Sequence, residues 1–320
     1  MQIEVFSRSK FRANGKIGDD VPMVIPGHIY AVFDGATDPF GTVVNGESVG
    51  RIAARTVAEF FSGIALDPKL SALSGPDLIQ QAADRLGAVN ARLGLKRPAS
   101  TTLAVVIEEA AAFRILILGD SGVRVNGEAP YVHNKLVDEV STAARVAAFR
   151  LLRTRFDGDA VEKNARQVVF LGFQQACEDG LLSRAEAERV VDAVCRDARF
   201  SALSDHVRFF LMGGIQTQST HTNNAVSPLG YSGMNGSPPM LREMIETRLP
   251  KAGVRTIELF TDGYVSVPAG TGVAAWEEEF ARVERTDFHK IGAHPGVKGS
   301  TAEEYSDDRT VIALAFGDVP

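Results

Sequence analysis

The chain has 320 residues, 45% of them apolar and 23% charged, enough to bury a substantial core as one large domain or two small ones. A formal net charge of −6 argues against a general electrostatic affinity for nucleic acid or anionic lipid. No stretch nears the roughly 18 uninterrupted apolar residues of a membrane span, so neither nucleic acid nor membrane is an expected partner.

The N-terminus, MQIEVFSRSK, lacks the apolar segment of a secretory signal, and the cytoplasm is the expected compartment. Cys177 and Cys195 have no His or Cys companions at zinc spacing and are expected to be reduced and structural.

Along the chain, residues 1 to about 130 mix short strand patterns (QIEVFSR, IYAVFDG, TTLAVVIEE, FRILILGD) with two amphipathic helix patterns, ESVGRIAARTVAEFFSGI and GPDLIQQAADRLGAVNARLGL. From about 135 to 212 the pattern is helical throughout, and its last helix is opened by Ser183 with Glu186 three residues on, a capping box. The following GGIQTQSTHTNNAVSPLGYSGMNGSPP reads as loops around short strands. Strands resume in TIELFTDGYVSV and RTVIALAF. Strands at both ends with helices between predict a single domain over 1–320 with one shared β core, and residues 135–212 as a helical insertion or subdomain within it.

Acidic residues recur at the strand edges. IYAVFDG ends in Asp34-Gly35, FRILILGD in Asp120, and IELFTDG in Asp262-Gly263; Asp307-Asp308 open the last strand, and Asp19-Asp20 precede the first apolar run after the N-terminus. Any one of these alone reads as a turn or a cap. Together, if they converge, they repel one another and are costly to desolvate unless a cation compensates. An oxygen-only ligand set without paired His or Cys suits Mg²⁺ or Mn²⁺ rather than Zn²⁺.

In chain order, GDD, VFDG, ASTTLAVV, LGDSG, LFTDG and SDDRTVIAL resemble the motifs of the metal-dependent protein phosphatases of type 2C. The resemblance covers both ends of the chain but not the helical middle. It implies an α+β fold, a four-layer α-β-β-α sandwich of two antiparallel sheets flanked by helices, with two Mg²⁺ or Mn²⁺ ions at one end and a looser third site in some members. By position, Asp19, Asp34, Gly35 (through its carbonyl), Asp262 and Asp307 resemble the metal ligands, with Asp34 bridging. Asp120 with Asp262 resembles the third site, and Asp20 a carboxylate orienting water. The implied reaction is hydrolysis of phosphoserine or phosphothreonine in a phosphorylated protein substrate, by water activated between two ions, with no covalent intermediate.

Two positions depart from that pattern. Many family members follow Asp-Gly with a His proposed as general acid, where this chain has Ala36 and Thr37. The family's phosphate-binding Arg falls on Gly15, with Lys16 and Arg12 nearby, so Lys16 is the candidate replacement. Such substitutions also suit a noncatalytic regulatory or binding module, and a phosphatase of a small phosphorylated metabolite is a third reading. The remaining features read as ordinary structure. His133, His206, His221, His289 and His294 are scattered; Arg145, Arg150, Arg153 and Arg155 read as a solvated helix face or a docking surface; Trp276 and Phe280 read as core contacts.

Overall fold

The computed structural model describes residues 1–13, 15–38, 40–95 and 97–317. In chain order the first elements are β1 (Gln2–Arg8), β2 (Val21–Ile25), β3 (Ile29–Gly35), β4 (Val43–Val44), β5 (Glu47–Ser48), α1 (Val49–Ser62), α2 (Pro68–Ser71) and α3 (Gly75–Leu93). Next come β6 (Thr101–Glu108), β7 (Ala112–Leu118), β8 (Gly122–Val125), α4 (Leu136–Leu152), α5 (Asp159–Leu171), α6 (Phe173–Glu178), α7 (Arg184–Cys195) and α8 (Ser204–Gly213). The chain finishes with β9 (Ile245–Pro250), β10 (Thr256–Phe260), α9 (Val273–Thr286) and β11 (Arg309–Ala315). These elements form two compact units: one of Met1–Asn134, Ser232–Arg282 and the residues from Asp307 onward, the other of Lys135–Tyr231 and Val283–Ser306.

The first unit is the expected sandwich. One antiparallel sheet runs β2-β3-β6-β7-β9 and the other β1-β11-β10-β8. Alternation within β3 and β6 explains why three layers of side chains can form around two sheets. Ile29, Ala31, Phe33, Leu103 and Val105 turn outward to meet Val57, Phe61, Leu78, Ala82 and Leu86 of α1 and α3. Tyr30, Val32, Ala104 and Val106 turn inward and pack against Val123, Ile257, Leu259, Ile312 and Leu314 of the other sheet. Buried on both faces, these strands are near-continuous apolar runs, each large side chain contributing roughly 1.5–3 kcal/mol. β2 was not foreseen as a strand; its Pro22 is tolerated because β2 is an edge strand and a ladder donor is dispensable there.

The outer face of the second sheet is closed by α9 through a satisfied polar network. Glu258 is wholly buried and accepts from Arg124 Nε (2.6 Å), Trp276 Nε1 (2.9 Å) and Gly272 N (2.9 Å). Arg124 also donates to the carbonyls of Pro268 and Gly270, both at 2.5 Å. Trp276 and Phe280 are buried as expected.

The second unit holds α4 to α8 around Val140, Ala144, Phe149, Val168, Phe173, Val191 and Phe210. The helical pattern of residues 159–178 is broken at Gly172, whose φ of 93° ends α5 and starts α6. The capping box of Ser183 and Glu186 opens α7. The Gly/Ser/Asn-rich stretch forms a 3-10 turn, Ile215–Thr220, and an isolated bridge between Thr222 and Tyr231 rather than short strands. Arg145 departs from the solvated face expected of it. It is wholly buried, pairs with the equally buried Glu162 at 2.5 Å and donates to the carbonyls of Gly296 and His289. Its long apolar stem, set among the alanines of α4, buries readily once a carboxylate meets the guanidinium. Both cysteines are free thiols.

Removing Glu258 strands the Arg124 charge in the interior. Glu258→Ala is expected to destabilise the protein by about 3–5 kcal/mol, whereas Arg124→Met with Glu258→Leu costs less than half of that; chemical denaturation of the two variants checks it.

Candidate metal centre

Strand ends from both sheets of the first unit bring their carboxylates together. β3 delivers Asp34 in register with Thr102 of β6. Gly119, at φ 89°, turns the chain after β7 so that Asp120 follows at once. β10 ends at Phe260, two residues before Asp262. One carboxylate oxygen from each of Asp34, Asp120 and Asp262 lies within 4.8 Å of the others, the first two residues half-buried and the third exposed. Close approach here needs glycine. A Cβ on Gly35 would overlap the Gly50 carbonyl at the start of α1, and one on Gly263 would overlap the Asp308 carbonyl.

A second group of acids stands beside this one. Asp308 spends both oxygens on backbone donors, Oδ1 on Lys10 N (2.6 Å) and Oδ2 on Asp19 N (2.8 Å), and so fixes the loop that carries Asp19 and Asp20. Arg51 braces the same loop by donating to the carbonyls of Gly18 (2.8 Å) and Asp20 (3.0 Å). Ser48, the N-cap of α1, donates its hydroxyl to Asp19. Asp20 accepts from Thr261 Oγ1 at 2.8 Å, while its other oxygen, Oδ1, is buried with no hydrogen-bond partner among the described residues. Lys10 Nζ lies 3.9 Å from both Asp307 and Asp308 and donates to Thr37 Oγ1 at 3.0 Å.

Burial, with repulsion from Asp20, Asp307 and Asp120, holds the Asp34 carboxyl well above the ordinary 3.8; a hydrogen bond with Asp262 opposes this. Burial and then the charge of Asp308 do the same to Asp20. Asp19 is raised by burial and by Asp308 and Asp307, with Ser48 and Lys10 pulling it back. A divalent cation removes such penalties, and an all-oxygen donor set of this kind fits Mg²⁺ or Mn²⁺. The residues present therefore fit the ions that the sequence implies.

Asp120, which by resemblance pairs with Asp262 in a third site, lies with Asp262 and Asp34 in this trio, while Asp307 acts on Asp34 and Asp19 through its charge. Gly35 lies at the junction with Gly50 and Asp19. Lys16 lines a neighbouring cleft, its ammonium 4.6 Å from the centre of the Phe11 ring, and Lys10 lies in ion-pair range of Asp307 and Asp308. Lys10, Ser48 and Thr261 were not foreseen, nor the backbone-capping role of Asp308. Only the last had a visible signal, the doubled Asp307-Asp308. Ala36 donates its N–H to Ser100 O, and no histidine joins the acid trio among the described residues.

The sequence matches no family model and no curated protein. Among solved structures the chain is similar to a bacterial serine phosphatase (12% identity, TM-score 0.47, all of both chains covered). It is likewise similar to the serine/threonine phosphatase Stp1 from Staphylococcus aureus (10%, 0.47, 99% of this chain and 95% of that one). A third likeness is to the Mycobacterium tuberculosis serine/threonine phosphatase PstP/Ppp (13%, 0.45, 98% of each). A structure of the PstP catalytic domain is described as a complex with 2 manganese ions.

Asp19, Asp20 and Asp34 titrate above 3.8 in the fold, so the folded metal-free protein binds their protons more tightly than the unfolded chain does. The stability this gives is fully present below the unfolded value and is lost as pH rises through the raised ones. Without added metal, the melting temperature is expected to fall from mildly acid to neutral pH. Asp34→Asn should raise it at neutral pH, by about 2–4 °C per kcal/mol of repulsion relieved. Calorimetry with EDTA, and again with Mn²⁺, checks both; Mn²⁺ should stabilise the parent chain more than the variant.

Proposed function

We propose that the chain is a metal-dependent phosphatase of phosphoserine and phosphothreonine in proteins, its ions held by Asp34, Asp120 and Asp262 with Asp19 and Asp307 close by. The observation that carries this is the convergence of carboxylates from the ends of strands in both sheets, an arrangement costly to keep unless cations are bound. Mg²⁺ or Mn²⁺, two ions and in some states a third, would neutralise phosphate charge there and supply an acidic water as nucleophile.

The protein's own groups set the stage for that chemistry. Asp308 and Arg51 hold the Asp19–Asp20 loop in place. Asp20, anchored by Thr261 through one oxygen, keeps Oδ1 as an acceptor able to orient a water or hold its proton. Lys10 offers a cation beside Asp307 that can meet a phosphate oxygen, a point charge rather than the fork of an arginine. Free thiols suit a reducing compartment such as the cytoplasm. Ala36 favours a second reading, a noncatalytic module that binds phosphoprotein without cleaving it.

Phosphate release decides between them. Hydrolysis of an aryl phosphate and of a phosphothreonine peptide is expected with Mn²⁺ or Mg²⁺, abolished by EDTA and lowered at least about 10²-fold by Asp34→Asn. With no acid at Ala36, the aryl ester should be cleaved faster than a phosphoserine peptide, because an alkoxide needs protonation to leave. Binding of phosphopeptide without any metal-dependent release would establish the noncatalytic reading instead.

A further inference from the structure

Asp262 and Asp307 stand just beyond the point where the β10–β11 ladder runs out. Its last registered pair is Phe260 with Val311, continued by Thr261 N–H to the Thr310 carbonyl (3.1 Å) and Thr310 N–H to Thr261 Oγ1 (2.9 Å). Past it, Glu277 of α9 joins the two segments. Its Oε1 and Oε2 accept from Arg309 Nε (2.8 Å) and Nη2 (2.7 Å), and Oε1 also accepts from the Tyr264 hydroxyl (2.7 Å). Tyr264 is two residues after Asp262 and Arg309 two after Asp307, so one carboxylate fastens the flanks of both acids. Packing locks both donors. Tyr264 is buried and meets the Trp276 and Phe280 rings edge-on, at 5.1 and 6.2 Å between centres, and the buried Arg309 guanidinium lies 3.8 Å from the centre of the Phe280 ring. Trp276 is itself held by Glu258, so the turn of α9 that presents Glu277 is fixed to the second sheet independently of the acids. Gly263 has no room for a Cβ against the Asp308 carbonyl, so a shift in either segment displaces the other.

We propose that Glu277 is a positioning residue of the metal centre, holding the segments of Asp262 and Asp307 at a fixed separation so that a divalent cation meets carboxylates already placed. The proposal rests on the metal-centre reading for its ligand. Asp262 repels Asp34 and Asp120 at this range, and a loose Asp262 turn would carry its carboxylate out toward solvent. The Glu277–Arg309 pair is neutral as a whole, so it restrains the turn without adding net charge beside the ligands. Directed hydrogen bonds of this kind fix geometry, and a ligand set fixed beforehand leaves less ordering to be done when the ion binds.

Titration calorimetry of the full chain with Mn²⁺, well below the melting temperature, tests this. Glu277→Ala is expected to weaken Mn²⁺ binding about 10- to 100-fold, and Tyr264→Phe, which removes one tether and leaves the ion pair, about 3- to 10-fold. Glu277→Gln keeps an acceptor for the phenol and should recover part of the loss. Adding Tyr264→Phe to Glu277→Ala should weaken binding no further, because the phenol acts through the carboxylate. Leu86→Ala, a cavity between α3 and the five-stranded sheet, should lower the melting temperature and leave Mn²⁺ affinity unchanged. If Glu277→Ala loses its melting transition, Glu277→Gln and Tyr264→Phe carry the test. Unchanged affinity in the tether variants, additive losses, or equal weakening by Leu86→Ala overturns the proposal. Hydrogen exchange in EDTA reads the tether without metal: Tyr264→Phe should speed exchange at residues 261–264 and 308–310 together. A parent chain that binds no Mn²⁺ would remove the metal-centre reading. Exchange would then still decide the tether, upheld by acceleration in both segments and overturned by acceleration confined to 261–264.

Discussion

Mutual repulsion among carboxylates at the strand ends is the constraint on which the first unit's construction depends. Asp34, Asp120 and Asp262 are forced within 4.8 Å by two sheets whose apolar layers leave the strands no other register. Slipping β3 by one residue would turn Phe33 and Ala31 inward and Val32 and Tyr30 outward, exchanging both packed faces at once. The core's preference for one register therefore holds the acids in place against their charge. Stability lies in the hydrophobic layers, and the functional cost sits at their edge.

The same division explains how the loop carrying Asp19 and Asp20 is held. Its position is set by polar groups borrowed from other parts of the chain: Asp308, Arg51, Ser48 and Thr261. Each makes a directed bond to a backbone or carboxylate atom, and such bonds specify geometry more sharply than they add stability. Lys10, drawn in by Asp307 and Asp308, offsets part of the charge that the loop brings.

Much of this was legible from the residues alone. Apolar runs ending in Asp-Gly marked β3 and β10, and the order of short acidic motifs pointed to two sheets with helices outside. Less visible were features that depend on pairing. β2 carries a proline, and β9 alternates exposed charges with half-buried side chains, so neither shows a strong strand pattern on its own; their partners make them strands. Arg145 looked solvated because its partner, Glu162, is 17 residues away on another helix. Lys10 gave no signal of its own, because its approach to Asp307 and Asp308 spans nearly the whole chain. Motif order likewise could not show which of the acids approach one another within 4.8 Å, a matter of strand-end geometry.

The place of β11 has a consequence for the order in which the molecule can assemble. It lies between β1 and β10, hydrogen-bonded to both, so the strand nearest the N-terminus has no sheet partner until residues 309–315 exist. Asp308, just ahead of that strand, holds the loop of Asp19 and Asp20 across 289 residues of sequence. On the ribosome, β2, β3, β6 and β7 can pair and take on α1 and α3 early, while β1 waits as an unpaired edge. Contacts of such long sequence separation form late and slowly. The metal centre, which takes Asp262 from the end of β10 and is flanked by Asp307 and Asp308 ahead of β11, therefore needs the last strands of the chain before it can close.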